Sequence, residues 1–329
     1  MAVMTYLEAI ADGLRQALRA DPSVILLGED VAAYGGAFKL TKGFLEEFGP
    51  RRVIDTPISE AGAVGAAVGA ALLGLRPVVE MQFADFISNA FNQIVNVAAT
   101  SAYRAGGCVP LVIRAPCGAG THGGPFHSQS VEAYFFHTPG VKIVFPATPA
   151  DAKGLVLSAI ADPNPVLYLE HKALYRSQRG PVDEGLAFVP LGKADVRRRG
   201  RDLSVITYGM MVHRCLEAAE AAAADGVDAE VIDLRTLLPL DLETLTDSVT
   251  RTSRVLIVHE DRLRGGIGAE ISAHVAEHLF SLLDAPIGRI GAIDTPVPYT
   301  PPLESAYLPS VERIRRHRPP RPLVNNPAG

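Results

Sequence analysis

The sequence predicts an α/β protein made of two doubly wound domains, and three observations carry that reading. Its 329 residues exceed the usual size of a single domain. Short, almost wholly apolar runs alternate with segments of helical periodicity. Runs this apolar belong to strands buried on both faces, hence to a mainly parallel sheet covered by helices. A polar stretch over about 176–201 interrupts the alternation once. It sets the division into a first domain over 1–185, a linker over 186–200, and a second domain over 201–329 that ends in a Pro-rich tail.

In chain order, the first half offers strands at 24–27, 52–55, 77–81, 111–114, 141–145 and 166–169, with helices over 84–103 and 150–160. The second half repeats the pattern with strands at 203–207, 229–233 and 255–258 and helices over 213–224 and 267–282. From Thr295 onward Pro is frequent, as in Thr300-Pro-Pro and Arg318-Pro-Pro-Arg-Pro, and the tail is expected to be extended and irregular. The run Arg197-Arg-Arg-Gly-Arg201 reads as a solvated linker, with contact to an acidic partner as its alternative.

Composition excludes several classes. With 48% hydrophobic residues and a formal net charge of −5, the chain can build large cores and has no electrostatic case for nucleic acid. The apolar segment 61–75 stops at Arg76-Pro77, short of the roughly 20 residues a bilayer-spanning helix needs, so no membrane segment is expected. No basic segment leads into an apolar core at the N-terminus, so no secretory signal is expected. Three cysteines without metal-ligand spacing favour a reducing compartment, the cytoplasm or an organelle matrix.

Two stretches carry chemistry. Asp55-Thr-Pro-Ile-Ser-Glu60 places a carboxylate among Ile54, Pro57 and Ile58, just ahead of a helix of Gly and Ala that offers it no cation. Desolvation there raises a carboxyl pKa and makes Glu60 a candidate proton donor or acceptor. The alternative is a first-turn glutamate that only favours the helix dipole. The small residues behind it, including Gly65 and Gly69, suit a tight helix pair across a subunit interface. The second stretch, Ala115 to Ser130, is a Gly-rich loop after a predicted strand, where open parallel sheets bind ligands. It matches no phosphate-binding loop pattern. Its His127 is either a proton-transfer residue or a loop-stabilising partner, and for His122 the stabilising role is favoured.

Taken together, Leu27-Gly-Glu-Asp-Val31, Asp55-Thr-Pro-Ile-Ser-Glu60, Gln82-Phe-Ala-Asp-Phe86, His127-Ser-Gln-Ser130, Asp151-Ala-Lys-Gly154 and Asp233-Leu-Arg-Thr236 span nearly the whole chain. In them the sequence resembles the β subunits of thiamine-diphosphate-dependent 2-oxo acid dehydrogenases, of the branched-chain and pyruvate type. The resemblance implies a transketolase-like pyrimidine-binding domain followed by a transketolase C-terminal-like domain. It implies that Glu60 contacts the aminopyrimidine of the cofactor, with Ile58 and Phe86 in the same pocket. Some relatives carry Tyr at the Phe86 position, and an aromatic residue at the start of a buried helix explains Phe86 equally. His127 matches the family's active-site histidine, implicated in substrate handling and lipoyl acylation. Glu29 either lines a path between paired sites or anchors a loop. A structural potassium ion is also implied, with Leu111, Val112, Ala159, Asp162 and Asn164 at the matching positions.

One absence is informative. Enzymes of this kind hold Mg2+ and the diphosphate with a Gly-Asp-Gly motif, which this chain lacks. The resemblance therefore implies an α subunit that supplies that half of the site in an α2β2 heterotetramer, a lipoyl-bearing acyltransferase core as further partner, and a 2-oxo acid as substrate. Branched-chain acids are favoured over pyruvate. The alternatives are the β subunit of an acetoin dehydrogenase, or a non-catalytic scaffold of the same fold. Two decoys are set aside: His274-Val-Ala-Glu-His278 has zinc-peptidase spacing but no evident third ligand, and Gly265-Gly-Ile-Gly-Ala-Glu270 lacks the full dinucleotide fingerprint.

Overall fold

The apolar runs of the first half become parallel strands of one sheet. The computed structural model describes residues 1–317, so the expected extended run at Arg318 lies outside the described residues. In chain order the strands are β1 Ala2–Thr5, β2 Val24–Gly28, β3 Val53–Asp55, β4 Arg76–Glu80, β5 Val112–Cys117, β6 Lys142–Val144 and β7 Val166–His171. They continue as β8 Arg179–Val182, β9 Asp195–Arg198, β10 Leu203–Thr207, β11 Ala229–Asp233, β12 Thr236–Leu238, β13 Val255–Arg262 and β14 Gly288–Ala292. The first sheet has seven strands in the order β12-β6-β7-β5-β4-β2-β3, and the second has five in the order β14-β13-β10-β11-β9. Only the edge strands β12 and β9 run antiparallel to their neighbours in these sheets. β5 and β7 are buried along their whole length, as strands covered on both faces must be. Each fully buried Val, Leu or Ile there contributes about 1.5–3 kcal/mol.

A buried ionic triad crosses the middle of the first sheet. Arg114 on β5 pairs with Glu80 on β4 and, through Nε at 2.6 Å, with Glu170 on β7, which also accepts the Tyr175 hydroxyl at 2.7 Å. Burial pushes the Glu80 carboxyl up, and the guanidinium opposes it. Removing one member of such a group costs about 3–5 kcal/mol, because an unpaired charge stays behind in the interior.

Three expectations change. The predicted linker contains β9, which joins the second sheet, and Arg197 within it is not solvated: it pairs with Asp151, with Asp195 at 2.7 Å and with Asp233 at 3.0 Å. The reason lies in Asp233, a fully buried carboxyl that burial pushes up to about 7 and that needs a cation beside it. The tail is also helical in part, over Pro301–Tyr307 and Val311–Arg316. Pro301 and Pro302 fall in the first turn of the first of these, where the missing N–H costs no hydrogen bond. Finally, the single helix expected over 84–103 breaks into a 3-10 helix Ala84–Ala90, a π-helical turn Gln93–Ala98 and a short helix Ser101–Ala105. Thr100 Oγ1 and Ser101 Oγ bond back to the carbonyls of Asn96 and Val97 at 2.6 and 3.1 Å, competing with a regular helix. Among the described residues no helix is long and apolar enough to cross a membrane.

Candidate active site

Four neighbouring parallel strands, β5, β4, β2 and β3, end on one edge of the first sheet, and each delivers a predicted site residue just beyond its carboxyl end. From β3 the chain turns through Thr56 to Ser59 into the helix Glu60–Leu72. Ser59 caps that helix by accepting the Gly62 N–H at 3.3 Å, which fixes Glu60 as its first residue. Glu60 is 9% exposed, and its Oε2 accepts the side-chain amide of Asn89 at 3.3 Å. No ion pair to Glu60 is formed among the described residues, as the Gly/Ala helix led one to expect.

Glu29 follows β2 and faces the same carboxylate. Burial first, and then the charges of Glu60 and Asp30, push its carboxyl up from the usual range. Two acids thus share one corner, and the charge of Glu60 adds to burial in disfavouring the ionised form of Glu29. Beyond β4, Phe86 stands edge-on to the His127 ring at 5.6 Å, and Phe83 does so at 4.6 Å. Asn89, three residues after Phe86 on the same 3-10 helix, is the side chain that reaches Glu60. Ile58 is 85% exposed at the rim.

His127 rides on the loop after β5. That loop is closed at its base by the Gly118 N–H donating to the Gln129 carbonyl at 3.3 Å, and Gln129 N–H in turn donates to Asp85 at 3.1 Å. Sequence reasoning missed Asn89, Phe83 and Asp85 as individuals, although the last two sit in the Gln82-Phe-Ala-Asp-Phe86 motif. Asn89 has a readable signal only in its spacing of three from Phe86.

The residues expected around potassium lie elsewhere. Leu111 and Val112 enter β5 and Ala159 to Asn164 lead into β7, so they gather at the amino ends of the strands, opposite the Glu60 edge. There the Ile160 and Asp162 carbonyls accept the Arg76 guanidinium at 2.7 and 3.3 Å, and the Asp162 carboxylate takes Lys142 Nζ at 2.7 Å. Those oxygens are of the donor type a hard monovalent ion takes, and here the cationic groups of Arg76 and Lys142 occupy them.

Just past the loop, the helix Glu132–Phe136 carries a buried acid against the second domain. Glu132 accepts the Tyr208 hydroxyl at 2.9 Å, while burial first and the charge of Asp261 second push its carboxyl up to about 8. The folded chain therefore binds this proton more tightly than the unfolded one. The stability it contributes is full below the ordinary carboxyl range and is lost as pH rises towards 8. Glu132→Gln keeps an acceptor for Tyr208 and is expected to remove that loss. Its unfolding midpoint should exceed the parent's at about pH 9 and match it at about pH 5. Parallel midpoint curves across that range would acquit Glu132.

The dinucleotide-like decoy resolves into packing. Among the described residues no group of three or more His, Cys, Asp or Glu is arranged to hold a metal ion. Gly268 of the dinucleotide-like loop lies against the His259 ring, where a Cβ would approach to 2.5 Å. The glycine is needed for that close approach.

A buried carboxylate with a neutral amide donor, an adjacent aromatic face and an exposed apolar rim residue fit an aminopyrimidine ring. Sequence comparison identifies the two domains. Residues 2–178 match the transketolase pyrimidine-binding domain and residues 192–314 the transketolase C-terminal domain. The chain is 47% identical over 317 residues to the 2-oxoisovalerate dehydrogenase subunit beta of Bacillus subtilis, spanning 95% of this chain and 97% of that one. It is 46% identical to the pyruvate dehydrogenase E1 component subunit beta of the same organism, over 94% and 96% of the two chains. The beta subunit of acetoin:2,6-dichlorophenolindophenol oxidoreductase from Cupriavidus necator is also 46% identical, over 93% and 94%. A solved structure described as a split gene transketolase, inactive beta4 tetramer, superposes with a TM-score of 0.76 at 25% identity, over 95% and 96% of the chains. The chain belongs to the β-subunit family of the 2-oxo acid and acetoin dehydrogenases, built from a transketolase pyrimidine-binding domain and a transketolase C-terminal domain.

Proposed function

We propose that this chain is the β subunit of a thiamine-diphosphate-dependent 2-oxo acid dehydrogenase, supplying the pyrimidine half of the active site for decarboxylation of a branched-chain 2-oxo acid and acyl transfer to a lipoyl group. The observation that carries the reading is Glu60, buried at the sheet edge with a neutral amide and, among the described residues, no cation for company. The bound cofactor supplies the electron sink for decarboxylation. Glu60 holds and exchanges a proton at a ring nitrogen through Oε1, while Asn89 fixes its orientation through Oε2. Phe86 offers a flat apolar face without a hydroxyl, and Ile58 closes the rim. His127, braced edge-on by Phe83 and Phe86, exchanges a proton at the substrate end. Glu29, with its raised carboxyl pKa, buffers the charge beside Glu60.

The missing Gly-Asp-Gly motif supports an α subunit that holds Mg2+ and the diphosphate, in an α2β2 assembly that docks on a lipoyl-bearing acyltransferase core in the cytoplasm or an organelle matrix. A neighbour described as a split gene transketolase with an inactive beta4 tetramer supports the same division of labour. The carbonyls around Asp162 support a structural potassium ion remote from the chemistry.

The test is reconstitution of both subunits and side-by-side turnover of branched 2-oxo acids, pyruvate and acetoin, each in potassium and in choline buffer. Branched acids are expected to lead. Acetoin cleavage in their place would establish the second reading, which the Cupriavidus necator relative favours. No turnover of any of the three would overturn the enzymatic reading and leave a scaffold.

A further inference from the structure

The loop that carries His127 is held from the second domain. Its Ala119 N–H donates to Glu260 Oε1 at 2.6 Å, and the other oxygen of Glu260 meets His171 Nε2 at 2.7 Å. Three residues on, His122 donates its backbone N–H to Glu304 Oε1 at 3.2 Å, and its Nδ1 pairs with Glu304 Oε2 at 2.7 Å. Gly124 then passes so close to the Tyr299 ring that a Cβ there would sit 2.2 Å from it. His127 N–H donates straight back to the Gly124 carbonyl at 3.3 Å, so the held segment runs into the histidine.

The Glu304 side chain is 2% exposed, yet both oxygens are spent on one residue of a loop in the other domain. His122 itself stands at φ +60°, a left-handed conformation that a non-glycine residue keeps only where the surroundings determine it. Lys172 contributes from the first domain by donating to the Gly118 carbonyl at 2.7 Å, and it feels the charge of Glu304. A buried carboxylate whose hydrogen bonds all go to one strained turn fixes the position of the residues beyond that turn.

We propose that Glu304, acting through His122, is a positioning residue for His127: the second domain latches the active-site loop and sets where the histidine stands. The inference rests on the role proposed for His127 in the reaction. In the reconstituted assembly, Glu304→Gln and His122→Gln are each expected to lower kcat for lipoyl acylation about tenfold, the loss expected for one hydrogen bond to a charged group. KM for the 2-oxo acid should stay within about twofold, since the loss falls on a step after binding. The double variant should be no worse than either single one, because both remove the same contact. Backbone amides over 119–127 should exchange with solvent faster in all three, with the rest of the chain unchanged. Normal kcat and exchange, or losses that multiply in the double variant, would overturn the latch. If Glu304→Gln loses global stability, His122→Gln, on the half-exposed side of the pair, decides the matter. A parent assembly inactive on every substrate would sink the role of His127, while the exchange data would still show whether the loop is latched.

Discussion

Glu60→Gln lowers turnover of the reconstituted assembly by about 10²–10⁴-fold, the range expected when a positioned proton-exchange group is lost. The fold survives the change. Glutamine has the same shape, its carbonyl still accepts from Asn89, and the Ser59 cap that starts the helix is untouched. The variant loses only a first-turn charge worth about 0.3–1 kcal/mol against the helix dipole. The measurement is turnover beside the thermal midpoint, with the parent as reference. Near-normal turnover would remove Glu60 from the chemistry, and a collapsed midpoint would mean that its charge serves the fold. Asn89→Ala is a useful companion, because it frees Glu60 to rotate while leaving the carboxyl itself in place.

The second large effect concerns the half-site. The purified chain alone is expected to show no measurable decarboxylation, and addition of its α partner to raise activity by at least about 10³-fold. Each charge-assisted hydrogen bond missing at the diphosphate is worth about 1.5–3 kcal/mol, and two or three of them account for that factor. The surface agrees with a chain that works in company. Ile58, at the rim beside Glu60, is 85% exposed, an apolar group placed where a second subunit would cover it. Full activity from the purified chain alone would end the argument for a divided site.

Much of this was legible from residues because buried parallel strands are written in nearly continuous apolar runs. The expected strands at 24–27, 166–169 and 229–233 differ from β2, β7 and β11 by two residues at most. Elements lacking such runs stayed hidden. The helix Tyr6–Ala20 carries a capping box, Thr5 with Glu8, which is a readable signal that sequence reasoning missed. β9 is charged and β12 is only three residues long, and the pairing of both depends on partners far along the chain. The site divides in the same way. Glu60 declared itself by being a carboxylate without a local reason, whereas Asn89, Glu260 and Glu304 act on residues 29, 141 and 182 positions away, and no local pattern encodes such reach.

β12 has a consequence for how the molecule is made. Residues 236–238 leave the second half and close the outer edge of the first sheet against β6. A nascent chain that has delivered every other strand of that sheet still presents Lys142–Val144 as an open border until Thr236 emerges, and open borders invite pairing with the wrong chain. The order of synthesis and the order of completion therefore differ. The earlier-made half waits for the later one, and a cut anywhere in 186–194 would divide the sequence without dividing the folded object.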